Sequence, residues 1–241
     1  MMDFKRYSSQ IALPEVGLEG QKLIAEAKVL VVGAGGLGCP VLSYLVGMGV
    51  GIIGIIDDDV VKLENLHRQV LYNESDLGEL KVLVAQKKLT TQNSAVKINA
   101  YTERLTDKNA VEIISNHDIV IDCSDNIETR YLIDNMTKKL QKPWVYGAVA
   151  KQEGQVAVIN YKGGSCFNDL FPDASFFANQ DSCSITGIMG YTTGLIGCLQ
   201  VNEALQIILK SENSLNGFVL NIDLGTLVMR KLKIKVFNKE N

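Results

Sequence analysis

Apolar residues along the chain fall into short blocks whose period alternates between about two and about 3.6 residues, which predicts strands alternating with helices. Lys28 to Val32, Gly51 to Ile56, Val96 to Tyr101, Asp118 to Asp122 and Trp144 to Val149 read as strands. The first two are short and β-branched, as strands buried on both faces are. Helices are predicted between them at Leu37 to Met48, Leu80 to Thr91, Lys108 to Ser115 and Ile127 to Leu140, after an N-terminal helical segment from Phe4 to Ala27. This alternation predicts an α/β fold, a Rossmann-like open and mostly parallel sheet with helices on both faces. The last third changes character. Gln155 to Tyr161 and Phe218 to Phe237 read as antiparallel strands flanking a long helix, Thr193 to Leu209, while Lys162 to Ser182 has no clear period and reads as a long loop. With no internal repeat, the pattern predicts one domain over residues 1–241, with a nucleotide-binding half at about 1–150 and a second half at about 151–241.

No charged side chain occurs from Val29 to Ile56, a run long enough to span a bilayer. Its content excludes that reading. Eight glycines and Pro40 divide it into three apolar blocks, the middle one placing Leu37, Val41, Leu42, Leu45 and Met48 on one helical face, so the run is a βαβ unit. Ser182 to Asn202 is also uncharged, but its serines, threonines and amides favour a buried, glycine-spaced helix. The charged start, MMDFKRYSSQ, lacks the apolar core of a signal peptide, and the five cysteines form no C-x-x-C pair, so a cytoplasmic location is expected. A formal charge of -3 argues against a broad nucleic-acid-coating surface, and 46% hydrophobic residues exclude a disordered chain.

Gly33-Ala34-Gly35-Gly36-Leu37-Gly38 follows a strand and opens a helix, where glycine lets backbone N–H groups approach a phosphate. Asp57 ends the next strand, placed to accept hydrogen bonds from ribose hydroxyls. The pair predicts a nucleotide site, yet a nicotinamide dehydrogenase would have both features. The segment Asp57 to Gln69 separates the two readings. A triphosphate needs more positive charge and usually a divalent metal; Arg68 and Lys81 can supply the charge, and Asp125, just past a strand in Asp122-Cys123-Ser124-Asp125-Asn126, the metal ligand. The competing reading of such an aspartate is a helix N-cap, and that of an isolated Arg or Lys is a solvated side chain.

Taken together, these motifs resemble the ThiF/MoeB/HesA family, the bacterial branch of the ubiquitin-activating enzyme superfamily. The resemblance runs from Arg6-Tyr7 and Gln10-Ile11 through the glycine loop, Asn65-Leu66-His67-Arg68-Gln69, Gly78 with Lys81, the Asp122 to Asn126 motif and Arg130. It continues through Glu153-Gly154-Gln155, Cys166, Leu170-Phe171-Pro172-Asp173 and the ladder Gly187, Gly190, Gly194, Gly197 to Glu203-Ala204. It implies adenylation of the C-terminal glycine carboxylate of a ubiquitin-like sulfur carrier ending in Gly-Gly, using ATP and Mg2+, in thiamine thiazole or molybdopterin synthesis. On it, Gly33, Gly35, Gly36 and Gly38 line the phosphates, and Asp57 holds the ribose. Asp59 and Gln69 complete the nucleotide site, while Asn65, Arg68 and Lys81 contact the triphosphate. Asp125 binds magnesium, with Asn126 and Arg130 shaping that edge. A homodimer is also implied, with the second half of the chain binding the carrier.

Two departures from the family pattern stand out. Where many relatives have Arg-Tyr-x-Arg-Gln, this chain reads Arg6-Tyr7-Ser8-Ser9-Gln10, so a phosphate-directed arginine is replaced by Ser9. That leaves open a scaffold that binds nucleotide and carrier with little turnover. Relatives also bind zinc through two C-x-x-C pairs; here Cys166-Phe167-Asn168-Asp169 has one cysteine and the terminus none, so no zinc site is expected. Cys183 aligns with a cysteine that ThiF-type enzymes can join to their carrier, which implies a sulfur-relay role with a persulfide donor. Together with Asp57-Asp58-Asp59 it favours the thiamine branch.

Overall fold

The computed structural model describes residues 4–172 and 187–236. After two helices, α1 (Ser8–Ile11) and α2 (Gly17–Glu26), the chain alternates β1 (Lys28–Val32), α3 (Gly38–Met48), β2 (Ile52–Ile56), α4 (Lys81–Gln92) and β3 (Lys97–Tyr101). It continues with α5 (Ala110–Ser115), β4 (Ile119–Asp122), α6 (Ile127–Leu140), β5 (Trp144–Ala150) and β6 (Glu153–Ile159). Then come α7 (Phe167–Leu170), α8 (Gly190–Ile208), β7 (Phe218–Asp223) and β8 (Val228–Lys233). The eight strands form one sheet in the order β3-β2-β1-β4-β5-β6-β7-β8, parallel from β3 to β5 and antiparallel from β5 to β8.

Strand alternation explains why the apolar run carries no charge. Val29 and Val31 point into a core shared with α3, α4 and α8, while Leu30 and Val32 point into a second core with α5 and α6. All four are buried, so a charge at any of them would lose its hydration without a partner. No helix among the described residues is long and apolar enough to cross a membrane.

Three readings of the last third change. Phe218 to Phe237 is not one strand, because Asp223 accepts hydrogen bonds from Gly225 and Thr226 and turns the chain between β7 and β8. The stretch after Lys162 is not wholly irregular: α7 is anchored by Phe167, which is fully buried. The long helix begins three residues earlier than Thr193, at Gly190, which fits closely against the chain at His67; a Cβ there would stand 2.4 Å from the His67 carbonyl oxygen. Asp173 and Cys183 lie outside the described residues.

Candidate functional site

Strand order reverses at β1, whose neighbours β2 and β4 lead away on opposite sides, and the loops after β1 and β4 diverge there to open a crevice. A cleft of about 1460 Å³ occupies it and runs on across the faces of β5 to β8. Sites for one small ligand are typically about 300 to 1,000 Å³, so this cleft has room for more than a nucleotide.

The glycines divide by task. Gly33 has φ +97, and a Cβ there would stand 2.6 Å from the Cys123 carbonyl oxygen, so the loop can cross the end of β4 only without a side chain. Gly38 is not on the cleft wall; its missing Cβ lets α3 close on the Gly33 carbonyl, which a methyl would approach to 2.2 Å. Gly35 and Gly36 do line the cleft. Asp57 latches this loop: its Oδ2 accepts from the Ala34 N–H at 2.7 Å and its Oδ1 from the Asp59 N–H at 2.8 Å. Burial pushes its carboxyl above the ordinary value, with Lys81 and these bonds opposing. The Tyr72 hydroxyl donates to the Ala34 carbonyl at 2.9 Å from behind, a support that no motif announced.

Lys81 is buried, and its Nζ pairs with Asp59 Oδ2 at 2.7 Å; Lys62 pairs with the other oxygen at 2.8 Å. Burial raises the Asp59 carboxyl, but the two lysines outweigh it and bring the group down to about 2. Arg68 donates to Asn65 Oδ1 at 2.7 Å and its other nitrogen lies 2.8 Å from His67 Nε2, so Asn65 stands off the wall and aims the arginine. Gln69 lines the cleft at 3% exposure, its Nε2 on the Gly35 side and its buried Oε1 without a hydrogen-bond partner among the described residues.

At the β4 end, Asp125 is exposed to the cleft and makes no hydrogen bond among the described residues. The helix cap is Asn126, whose side chain accepts from the Thr129 N–H at 2.9 Å, so the capping reading belongs to Asn126 and leaves Asp125 free. Arg130 donates to the Ser124 carbonyl at 3.2 Å, stands 3.5 Å from Asp122 Oδ2 and lies 5.2 Å over the Tyr146 ring. Gln200 of α8 reaches under this edge to donate to the Asp122 carbonyl at 2.6 Å. Thus Gly33, Gly35, Gly36, Asp57, Asp59, Arg68, Gln69, Lys81, Asp125, Asn126 and Arg130 share one cleft, while Gly38 and Asn65 support it from outside. The motif reading missed Arg104, Tyr146, Phe171, Thr193 and Arg230, which line the same space from separate elements.

Among the described residues no three His, Cys, Asp or Glu side chains converge to hold a metal. Magnesium is commonly held by one or two carboxylates together with substrate phosphates, and an unengaged Asp125 beside a phosphate-type loop suits that mode. Cys166 is built into the cap of α7, where Asp169 accepts from its N–H at 2.9 Å, and burial raises its thiol.

A model of the ThiF family matches residues 7–241. The chain is 44% identical over 238 residues to a sulfur carrier protein adenylyltransferase of Thermus thermophilus, covering 97% of this chain and 88% of that protein. It is 43% identical over 233 residues to the adenylyltransferase and sulfurtransferase MOCS3 of Anopheles gambiae, covering 97% of this chain. The chain spans about half the length of that relative, 53%. A probable molybdopterin-synthase adenylyltransferase of Porphyra purpurea is 40% identical, with 96% of this chain and 61% of that protein covered. Among solved structures, E. coli MccB with MccA-N7isoASN superposes with a TM-score of 0.84 at 17% identity, over 99% of this chain and 74% of that one. That likeness bears on the fold alone.

Proposed function

The chain belongs to the ThiF family, and from that premise we propose that it adenylates the C-terminal glycine carboxylate of a ubiquitin-like sulfur-carrier protein, consuming ATP with Mg2+ and releasing pyrophosphate. The observation that carries the reading is the cleft, which joins a phosphate-type loop, five cationic side chains and an unengaged carboxylate to a long wall over β5 to β8. A dehydrogenase would leave Arg68, Lys81 and Asp125 without a task. In this reading the Gly35 and Gly36 backbone faces the phosphates, and Asp57, with lone pairs left after its two backbone bonds, receives the ribose. Arg68 and Lys81 offset the charge that moves onto pyrophosphate. Asp125 would hold magnesium, which supplies neutralisation of the phosphate oxygens when bound.

The carrier's carboxylate oxygen forms a bond to the α-phosphorus as the bond to the bridging oxygen of pyrophosphate breaks. A carboxylate is already ionised at neutral pH, so no general base is required. Neither histidine is placed as one: His67 lies against Arg68, and His117 is buried at 1% exposure. The protein contributes alignment and charge neutralisation. We place the chain in a homodimer in the cytoplasm, with no zinc site and with Cys183 as the candidate for exchange with a persulfide donor. The name of the Porphyra purpurea relative supports the molybdopterin branch, while the Asp57-Asp58-Asp59 run and Cys183 support the thiamine branch.

The test is ATP-pyrophosphate exchange with carriers of both branches, each ending in Gly-Gly. Exchange with one of them is the expected result; ATP binding with no exchange from any carrier would sink the enzymatic reading. A second reading, a nucleotide- and carrier-binding scaffold with weak turnover, is favoured by Ser9, which is exposed on α1 and carries no charge. It expects carrier binding without acyl-adenylate, and turnover restored by Ser9→Arg.

A further inference from the structure

Asp134 is a buried carboxyl, 4% exposed, that the adenylation scheme does not use. It lies one turn beyond Arg130 on α6. Its Oδ1 accepts from the Phe167 N–H at 3.1 Å and from the Asn160 side-chain amide at 3.1 Å. The same amide donates to Thr137 Oγ1 at 3.1 Å, and the Asn160 N–H donates to the Ser165 carbonyl at 2.9 Å, closing the intervening turn. One carboxyl thereby ties the end of β6 and the start of α7 to α6. Burial raises this carboxyl, and the Phe167 and Asn160 bonds pull it back toward the charged form.

Phe167 carries the tie onward. Its ring lies 5.3 Å from Tyr131, 5.6 Å from Trp144, 5.5 Å from Tyr146 and 5.1 Å from Phe171. Tyr146 and Phe171 line the cleft, and Tyr146 also sits under the Arg130 guanidinium. A helix of four residues such as α7 has no stability of its own, so its place is set by these tertiary contacts. We infer that Asp134 is a positioning residue for the carrier end of the cleft: through Phe167 it fixes the aromatic wall of Tyr146 and Phe171 beside Arg130, against which the carrier's C-terminal arm is laid. This inference rests on the adenylation reading.

Trp144 is the only tryptophan and its side chain faces both Asp134 and the Phe167 ring, so its emission reports the Asp134 tie together with the wall, without any substrate. Exchange is measured on the full chain with a sulfur-carrier protein ending in Gly-Gly as the titrated probe, for Asp134→Ala and for Asp134→Asn, which keeps an Oδ1 acceptor. Asp134→Ala is expected to raise the carrier KM about tenfold, leave the ATP KM within about twofold and shift Trp144 emission to the red, while Asp134→Asn stays within about threefold of wild type. An unchanged carrier KM, or a loss shared equally by ATP and carrier as general destabilisation would give, overturns the inference. If Asp134→Ala does not fold, Phe167→Leu, which keeps the backbone bond and removes the ring, is expected to produce the same rise; no rise overturns the inference. Wild-type protein that binds ATP but exchanges with no carrier overturns the adenylation reading instead, and the near-ultraviolet circular dichroism of the aromatic cluster then decides whether Asp134 holds the wall: it is expected to weaken in Asp134→Ala and to be kept in Asp134→Asn, and an unchanged signal in Asp134→Ala overturns the inference.

Discussion

Glycines within one motif serve different physical ends. Gly33 combines a positive φ with a carbonyl that would lie 2.6 Å from an added Cβ, whereas a Cβ on Gly35 would meet only Gln69 Nε2, at 3.5 Å. Gly33→Ala is therefore expected to destabilise the fold by about 2 kcal/mol or more. Gly35→Ala is expected to melt near the wild-type temperature while binding ATP at least about tenfold more weakly, because a methyl on the cleft wall keeps phosphates from the backbone. Calorimetry and nucleotide titration on the two variants check this; equal loss of stability in both would contradict it. Motif spacing marks both as glycine but does not separate them, since the difference comes from Cys123, ninety residues away in the chain.

The helix α8 shows how one element joins the two halves. It packs on α3 so closely that a Cβ on Gly197 would stand 2.6 Å from Pro40 Cγ, and its Gln200 fills the space above Gly147. Replacing a helical glycine by alanine normally gains up to about 1 kcal/mol. At Gly194, where nothing lies within 4 Å of the added methyl, that gain is expected; at Gly197 a loss of about 2 kcal/mol is expected instead, because α3 or α8 must shift. Thermal melts of the two variants should therefore move in opposite directions. The glycine ladder was legible as a closely packed helix. Its partner, α3 with the phosphate-type loop at its head, was not, because the period of a pattern names a buried face and not what covers it.

Across the whole molecule, buried ionisable groups set how stability follows pH. His117 donates to the Ile113 carbonyl, with Nδ1 and oxygen 2.8 Å apart, while its Nε2 is buried, has no partner among the described residues and faces Gly54. Burial lowers its pKa from the ordinary 6.5, so the folded state resists protonation and stability falls as pH drops below 6.5. Asp122 and Glu203 are raised by burial and act in the opposite sense, gaining stability as they protonate. The histidine is isolated by comparison with His117→Gln: between pH 7.5 and 5.5 the melting temperature of wild type should fall relative to the variant. Parallel curves would contradict a neutral, buried His117.

The succession of elements, the parallel half-sheet and the glycine turn from β1 into α3 were readable from the chain, because periodicity and glycine placement are local consequences of backbone geometry and burial. The resemblance named residues of which the fold brings eleven to one cleft, while Gly38 and Asn65 stand behind its wall and Cys183 lies outside the described residues. What required folding was the pairing of distant side chains. Lys81 engages Asp59, Asn126 takes the cap and frees Asp125, and Phe167 turns a stretch without period into part of the core. Each of these is a choice among partners that lie near in space but far in sequence, and composition and spacing hold no information about such distances.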